Sequence, residues 1–314
     1  MKDSLNIGHL STAYHTNFIL MGEKRLSKDL NRNINWLLFG TGPAMVKAFL
    51  NGKIDAGYMG LPPAIIGISN GAPIKCVAGG HVEGTIMIAQ DEYKNIKELN
   101  NNIGDVLSQF KGETIGIPSR GSIHDVILTH FLNKYHLINE VHIKNYKQAE
   151  FIAIDMEKNI LAGGVGTPAL AVFAQTILKS QLIIPAQYLW PNNPSYGVFF
   201  HESYIKNYPE IIIKFLKHHK EASTLLRTDQ SIAAEKISNT FGIITKSYAE
   251  SVLKISPKYC IALTENYVKA TMEFVNKLHE LGYINENLEV DDIFYFNFVK
   301  EVHPEDDHYI SLKN

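Results

Sequence analysis

Four loops in the sequence combine glycine, proline and small polar residues, and each follows a strand-like stretch and precedes a helix-like one. A helix that begins in this way presents unpaired backbone N–H groups and the positive end of its dipole. Such sites suit a carboxylate, sulfonate, phosphate or nitrate group, although ordinary turn chemistry explains the same composition. The residues of these loops that we expect to contact a ligand are Ser11, Thr41, Gly42, Leu61, Pro62, Ser119, Arg120 and Ser122.

Arg120 is the most specific candidate in these loops. An arginine at a helix N-terminus is unfavourable beside the helix dipole, which suggests that it is placed there to meet an anion. Two alternatives stay open, a side chain that faces solvent and an ion pair between lobes. If the guanidinium pairs with a desolvated anion, Arg120→Ala should weaken binding by about 2–3 kcal/mol.

The histidines that could converge near the candidate loops show no local metal-ligand spacing. Four histidines could converge with Glu83, but no H-x-H, H-E-x-x-H or H-x-x-x-H pair occurs among them. These histidines are His9, His15, His81 and His124. We therefore expect hydrogen-bonded structural or loop histidines, no metal site and no cofactor.

The remaining signatures of chemistry are also missing. The two cysteines, Cys76 and Cys260, form no C-x-x-C pair and are expected to be buried apolar thiols. No G-x-S-x-G elbow occurs, and no G-K-[ST] follows the glycine-rich loop at residues 40–43, so it is not a P-loop. The residues therefore do not support a hydrolase, a P-loop nucleotide site or a dithiol redox site, and we expect that the protein is not an enzyme.

Length and charge limit the classes of protein further. The chain has 314 residues, and 45% of them are hydrophobic. This length exceeds what one hydrophobic core usually serves, so we expect two lobes. A net charge of −2 predicts no nucleic acid partner and no polybasic membrane patch. No signal peptide or lipobox precedes the first strand-like segment, so either a leader was removed or the protein is cytoplasmic.

Hydrophobic periodicity predicts strands that alternate with helices, which is typical of largely parallel sheets covered on both faces. We expect a helix over residues 16–28 and a helix after Thr41 as N-cap, with Pro43 in its first turn. Residues 151–154 read as strand-like. Residues 161–178 read as an apolar helix, residues 208–281 as helical, and residues 291–296 as a docking helix. The charged stretch from residue 303 is expected to be frayed.

Three motifs carry a family resemblance. Residues 51–57 resemble a G-x-I-D-A step, residues 110–118 resemble an "lkGktIgvp" strand, and residues 208–210 resemble an "npe" helix start. Their order and spacing over residues 4–300 are similar to those of the solute-binding subunits of nitrate/sulfonate/taurine-type ABC importers. The resemblance implies an α/β, two-lobed type II periplasmic-binding-protein fold. Each lobe would be a mainly parallel sheet flanked by helices, with a helical C-terminal part.

The resemblance also implies how the chain is divided and how it works. Residues 4–90 and 190–314 would form the first lobe and residues 91–189 the second, with hinge crossings near 89–91 and 188–197. A small ligand, anionic or polar, would be bound between the lobes by hinge closure. The partners would be ABC permease and ATPase subunits, and the protein would be an extracytoplasmic monomer.

The resemblance implies further ligand contacts. Tyr14 and His15 lie where the family often places an aromatic or histidine contact, and Gly166 and Thr167 match a pair that faces the cleft. Thr167 stands where an acidic residue is common, which favours an anionic or neutral ligand. Tyr196, near the second crossing, would contact the ligand or shape the hinge.

Two alternatives use the same fold. The pyrimidine synthase of thiamin biosynthesis needs a lysine and a histidine, where this chain has Met59 and Pro63, and it needs a cysteine cluster that is missing here. A cytosolic ligand sensor is the second alternative.

Overall fold

Two five-stranded sheets form the framework of the protein, which we describe from a computed structural model over residues 3–309. The strands of the first sheet are β1 (Ser4–His9), β2 (Asn33–Leu38), β3 (Ala56–Met59), β4 (Ile74–Val82) and β10 (Pro194–His201). Those of the second are β5 (Ile86–Gln90), β6 (Thr114–Pro118), β7 (His142–Tyr146), β8 (Gly163–Gly166) and β9 (Ser180–Ile184).

The two sheets share one pattern of strand order. The first runs β2-β1-β3-β10-β4 and the second β7-β6-β8-β5-β9. In each sheet the fourth strand, β10 or β5, is antiparallel to both neighbours, whereas β1, β2 and β3 are parallel to one another, as are β6, β7 and β8. The expected α/β class with two mainly parallel sheets is confirmed.

Strand β5 lies in the second sheet, where Ile86 pairs with Gly166 and Ala89 with Gln181. The sequence assigned residues up to 90 to the first lobe. The structure instead places residues 86–90 in the second sheet. The chain leaves the first sheet after β4 and crosses through residues 83–85. It returns through residues 185–193, which include a 3₁₀ turn at Ala186–Tyr188.

Helices cover the faces of both sheets. They are α1 (Asn17–Met21), α2 (Lys24–Leu30), α3 (Gly42–Leu50), α4 (Leu61–Ser69), α5 (Ile103–Ser108), α6 (Ile123–Lys134), α7 (Glu150–Glu157), α8 (Pro168–Ile177), α9 (Glu202–Asn207), α10 (Pro209–Thr228), α11 (Gln230–Phe241), α12 (Lys246–Ile255), α13 (Glu265–Glu280), α14 (Val290–Ile293) and α15 (Asn297–Val302). Over residues 3–309, none of the helices combines the length and apolar character needed to cross a membrane.

The segments around β8 correct two sequence expectations. Residues 151–154 are helical within α7, and residues 163–166 are a strand that interrupts the expected helix over 161–178. Both differences have one cause: α7 buries Ile152 against β8, and a Cβ on Gly164 would lie 2.5 Å from the Ile152 Cγ2 atom. A glycine strand therefore admits a closely packed helix, and neither segment reveals this by its own periodicity.

The expected helix over residues 16–28 is two helices, α1 and α2, separated at Gly22. A Cβ there would lie 2.9 Å from the Thr240 hydroxyl of α11, so the close approach of another helix coincides with the break.

The C-terminal part also departs from expectation. The expected docking helix over 291–296 is the shorter α14, after which Phe294 forms a parallel bridge with Cys76 of β4. Residues 303–309 are not frayed: His303 and Tyr309 are buried, and the Tyr309 hydroxyl donates to the Ala262 carbonyl at 2.9 Å. The end of that stretch, residues 310–314, lies outside the described residues. Both cysteines are buried free thiols, as expected.

Candidate ligand-binding site

A cavity opens between the two sheets, where strand ends and helix beginnings meet. Its walls come from the loops after β1, β2 and β3, from the loops after β6, β7 and β8, and from the first crossing between the sheets. Ser195 of β10 and Tyr248 of α12 complete them. This is the location where open α/β sheets bind ligands. The space available to the centre of a water-sized molecule is about 110 Å³.

The cavity gathers many of the residues that the sequence singled out. Those that line it are Ser11, Tyr14, His15, Thr41, Gly42, Ser119, Ser122 and Thr167. Those that do not line it are Leu61, Pro62, Arg120, Gly166 and Tyr196. The structure therefore brings eight of the thirteen expected residues to one cavity, and their contact with a ligand stays a prediction.

The residues outside the cavity have other packing roles. Leu61 and Pro62 are buried in the first turn of α4, and Gly166 is the last residue of β8. Tyr196 is fully buried, and its hydroxyl accepts a hydrogen bond from the Thr16 amide at 3.2 Å. The exposed Arg120 lies with its guanidinium 5.4 Å from the ring centre of Tyr283, in a separate surface groove.

Within residues 3–309, five helices of eight residues or more begin at the cavity wall, namely α3, α4, α6, α7 and α8. Thr41 caps α3, where its hydroxyl accepts from the Ala44 amide at 3.3 Å, and Ser122 caps α6 in the same way, from the Asp125 amide at 3.2 Å. The N-cap residue of α8 is Thr167, whose hydroxyl does not cap the helix. The cavity thus lies at the positive ends of these five helices, which favour a negatively charged or polarised group.

His15 is the most telling side chain in the wall. It is 2% exposed, and its Nδ1 atom has no hydrogen-bond partner among the described residues. The neighbouring Thr12 Oγ1 is also buried without a partner there. Burial first, and the nearby His81, His9 and His219 second, hold the pKa of His15 well below its usual value. His15 is therefore a neutral imidazole at pH 7.

Ser195 presents a second polar group to the cavity. His81 Nε2 donates to the Ser256 carbonyl, since a carbonyl only accepts, and burial lowers the pKa of His81 to about 4. Its Nδ1 is then an acceptor, and the Ser195 hydroxyl, 2.9 Å away, must donate to it. Ser195 is left with acceptor lone pairs for a ligand.

Several wall residues were missed by sequence reasoning. Thr12 lies beside Ser11 in a loop that was recognised, and Thr85 lies in the first crossing between the sheets, where no site residue was expected. Lys147 and Glu150 are the two Lys, Arg, Asp or Glu residues among those described that line the cavity. They lie after β7, in a loop from which no site residue was expected. Tyr248 arrives from α12 and donates to the Ala169 carbonyl at 2.9 Å. Nothing local to residue 248 signals this contact.

Several solved structures of known proteins have a fold similar to that of this chain. The ligand-binding component of an ABC-type import system from Staphylococcus aureus, solved with zinc bound, is 15% identical with a TM-score of 0.80, over 97% of this chain and 100% of that one. The periplasmic aliphatic sulphonate-binding protein SsuA from Escherichia coli is 16% identical with a TM-score of 0.78, over 94% and 92%.

The periplasmic nitrate-binding protein NrtA from Synechocystis PCC 6803 is 11% identical with a TM-score of 0.75, over 96% of this chain and 89% of that one. At such identities these structures share the fold. No curated protein matches the sequence. The model of the NMT1-like family matches residues 1–240, most of the chain. The chain belongs to the NMT1-like family.

Proposed function

We propose that the protein is the solute-binding component of an ABC importer and holds one small anionic or polar ligand between two lobes. The first lobe is the sheet that contains β1 and β10 with its helices, and the second is the sheet that contains β5 and β6. The crossings at residues 83–85 and 185–193 are the hinge. Ligand contacts from both walls favour the closed form, because only that form offers both sets.

The observation that carries this proposal is the pair of unpartnered polar atoms in the wall, His15 Nδ1 and Thr12 Oγ1. A buried polar atom without a partner costs about 1–3 kcal/mol. A bound ligand that supplies hydrogen bonds removes this cost, so the site gains affinity from groups that are otherwise unfavourable.

Size and charge narrow the ligand. A water needs about 10–15 Å³ of such volume, so the 110 Å³ cavity suits a ligand on the order of ten non-hydrogen atoms. Lys147 and Glu150 offset each other, and the lowered pKa of His15 and of His124 leaves these wall histidines uncharged at pH 7. The helix ends at the cavity wall then dominate the electrostatics of the site and favour an anionic or strongly polar group.

No catalytic role is part of this proposal. Met59 is fully buried in β3, so the place of the pyrimidine-synthase lysine carries an apolar side chain. Similarity to ABC-import components supports permease and ATPase partners and an extracytoplasmic location. We propose a monomer, because hinge closure within one chain completes the site.

Native mass spectrometry of freshly purified protein, before and after denaturation, tests the proposal by releasing any retained small molecule. Thermal shifts with nitrate, ethanesulfonate and MOPS follow as first probes. Thr12→Val should lower the affinity for the bound compound, whereas Thr176→Val, at an exposed site on α8, should not. A protein that retains nothing, and that no compound of a broad metabolite panel stabilises, would contradict the proposal.

A further inference from the structure

A cluster of metal-binding side chains lies outside the cavity, in the C-terminal part of the chain. Cys260 precedes α13, His303 directly follows α15, and His308 belongs to the segment after it. Cys260 Sγ is 3.3 Å from His303 Nε2 and 3.7 Å from His308 Nδ1, and the two nitrogens are 3.3 Å apart. The three ligand atoms thus form a compact triangle.

The dimensions of this triangle match a tetrahedral zinc site. With Zn–S of about 2.3 Å and Zn–N of about 2.05 Å, tetrahedral geometry places S and N about 3.6 Å apart and two nitrogens about 3.3 Å apart. The nitrogen separation in the cluster exceeds the usual N–H···acceptor distance of about 2.9–3.0 Å. The spacing of the three atoms therefore fits a shared metal ion.

The protonation of His303 also prepares it as a ligand. Its Nδ1 lies 3.1 Å from the Glu305 carbonyl oxygen, which can only accept, so Nδ1 carries the proton. In the neutral imidazole, Nε2 then carries a lone pair directed at Cys260 and His308. A backbone carbonyl that fixes the tautomer in this way is the usual outer partner of a metal-bound histidine.

We propose that Cys260 Sγ, His303 Nε2 and His308 Nδ1 bind a thiophilic transition-metal ion of the Zn²⁺ class. Cys260 and His303 are buried, and the three residues line a groove of about 250 Å³, so a fourth ligand can enter from solvent. The thiol loses its proton to the solvent when the metal binds. This site is separate from the cavity between the sheets and does not depend on what binds there.

Charges around the cluster are balanced. Lys220 and Arg227 line the same groove, but Lys220 is paired with Glu305, and the Arg227 guanidinium donates to the Tyr259 carbonyl. Asp307 adds a second negative charge nearby. The added positive charge of a divalent ion is therefore met by the thiolate and is not placed beside uncompensated cations.

A metal ion bound at this site would hold residues 303–309 against the loop before α13. Cys260 is 43 residues from His303 and 48 from His308 in the sequence, so a bound ion joins the segment after α15 to the loop before α13. Tyr309 already anchors that segment on Ala262. Metal binding should then protect residues 303–309 from proteolysis.

The test is metal titration of the full chain after treatment with a chelator. Native mass spectrometry should show one Zn²⁺ per chain, and Co²⁺ should give a thiolate-to-metal charge-transfer band in the near ultraviolet. Cys260→Ser and His308→Gln should each weaken Zn²⁺ binding at least about tenfold. His142→Gln, an exposed histidine on β7, is the matched control and should bind normally.

Each outcome decides the proposal. Failure of the wild-type protein to bind Zn²⁺ or Co²⁺ at micromolar concentration would overturn it. So would a Co²⁺ complex without the thiolate band, or unchanged binding in Cys260→Ser. His308 is only partly buried, so His308→Gln keeps the test valid if Cys260→Ser does not fold, as judged by circular dichroism.

Discussion

The imidazole of His15 lies against the phenol ring of Tyr196, with the ring centroids 3.9 Å apart and the planes inclined by 32°. Tyr196 is itself held by the Thr16 amide, and the Thr16 hydroxyl is 2.9 Å from His219 Nδ1. This buried network supports His15 from beneath. The ring is thereby fixed at the cavity wall, although its Nδ1 atom has no partner there among the described residues.

His15→Phe should separate binding from stability. Phenylalanine keeps the ring contact with Tyr196 but removes both ring nitrogens, so affinity for the retained ligand should fall about tenfold or more, or about 1.4 kcal/mol. The free energy of unfolding without ligand should stay the same or rise, because an unpartnered polar atom is removed. Calorimetric titration and urea unfolding measure the two effects, with His130→Phe as control. Unchanged affinity in His15→Phe would exclude a ligand contact.

Stability should fall as the pH is lowered from about 6.5 towards about 4. Burial lowers the pKa of His81 and of His219 to about 4, whereas the unfolded chain titrates near the ordinary value of 6.5. In this window the unfolded state binds more protons, so each histidine should make the free energy of unfolding decrease by ~1.4 kcal/mol per pH unit. Urea unfolding across this range measures the slope. The slope should be smaller in His219→Gln, and an equal slope in both proteins would count against the assignment.

Two glycines of the cavity wall should respond differently to alanine. A Cβ on Gly84 would lie 2.4 Å from the Ser195 hydroxyl and 2.9 Å from that of Tyr14, so Gly84→Ala should destabilise the protein by about 1–3 kcal/mol and reduce binding. A Cβ on Gly40 would lie 3.5 Å from the Lys147 carbonyl, an ordinary contact. Gly40→Ala should therefore be tolerated. Equal melting temperatures for the two variants would contradict this account.

Arg120→Ala should have a small effect, contrary to the expectation from sequence. The guanidinium stacks on Tyr283 at the surface, so its removal weakens only a contact between the α6 loop and the segment after α13. Ligand affinity should fall less than about fivefold, the range for an exposed cation–π contact. Tyr283→Phe keeps the ring and should behave like the wild type in this respect. A loss above a hundredfold in Arg120→Ala would instead show direct contact with an anion.

Local sequence signals determined the features that depend on residues close together in the chain. The capping of α3 by Thr41 was predictable because the hydroxyl bonds an amide three residues away. The candidate cavity loops were recognisable because glycine, proline and small polar residues end strands and begin helices. The α/β class was predictable because hydrophobic periodicity is also a relationship between residues close together in the chain.

Long-range packing decided the rest. Strand β5 belongs to the second sheet because of its pairing with β8 and β9, and α7 is a helix because the glycines of β8 admit Ile152. Arg120 lies outside the cavity because Tyr283, 163 positions later in the sequence, offers it a ring. His303 and His308 are close in the sequence, at a spacing that zinc ligands often have, but Cys260 lies more than 40 residues before them and no local signal joins it to them. In each case the deciding contact joins distant segments, and local periodicity carries no information about which segments meet.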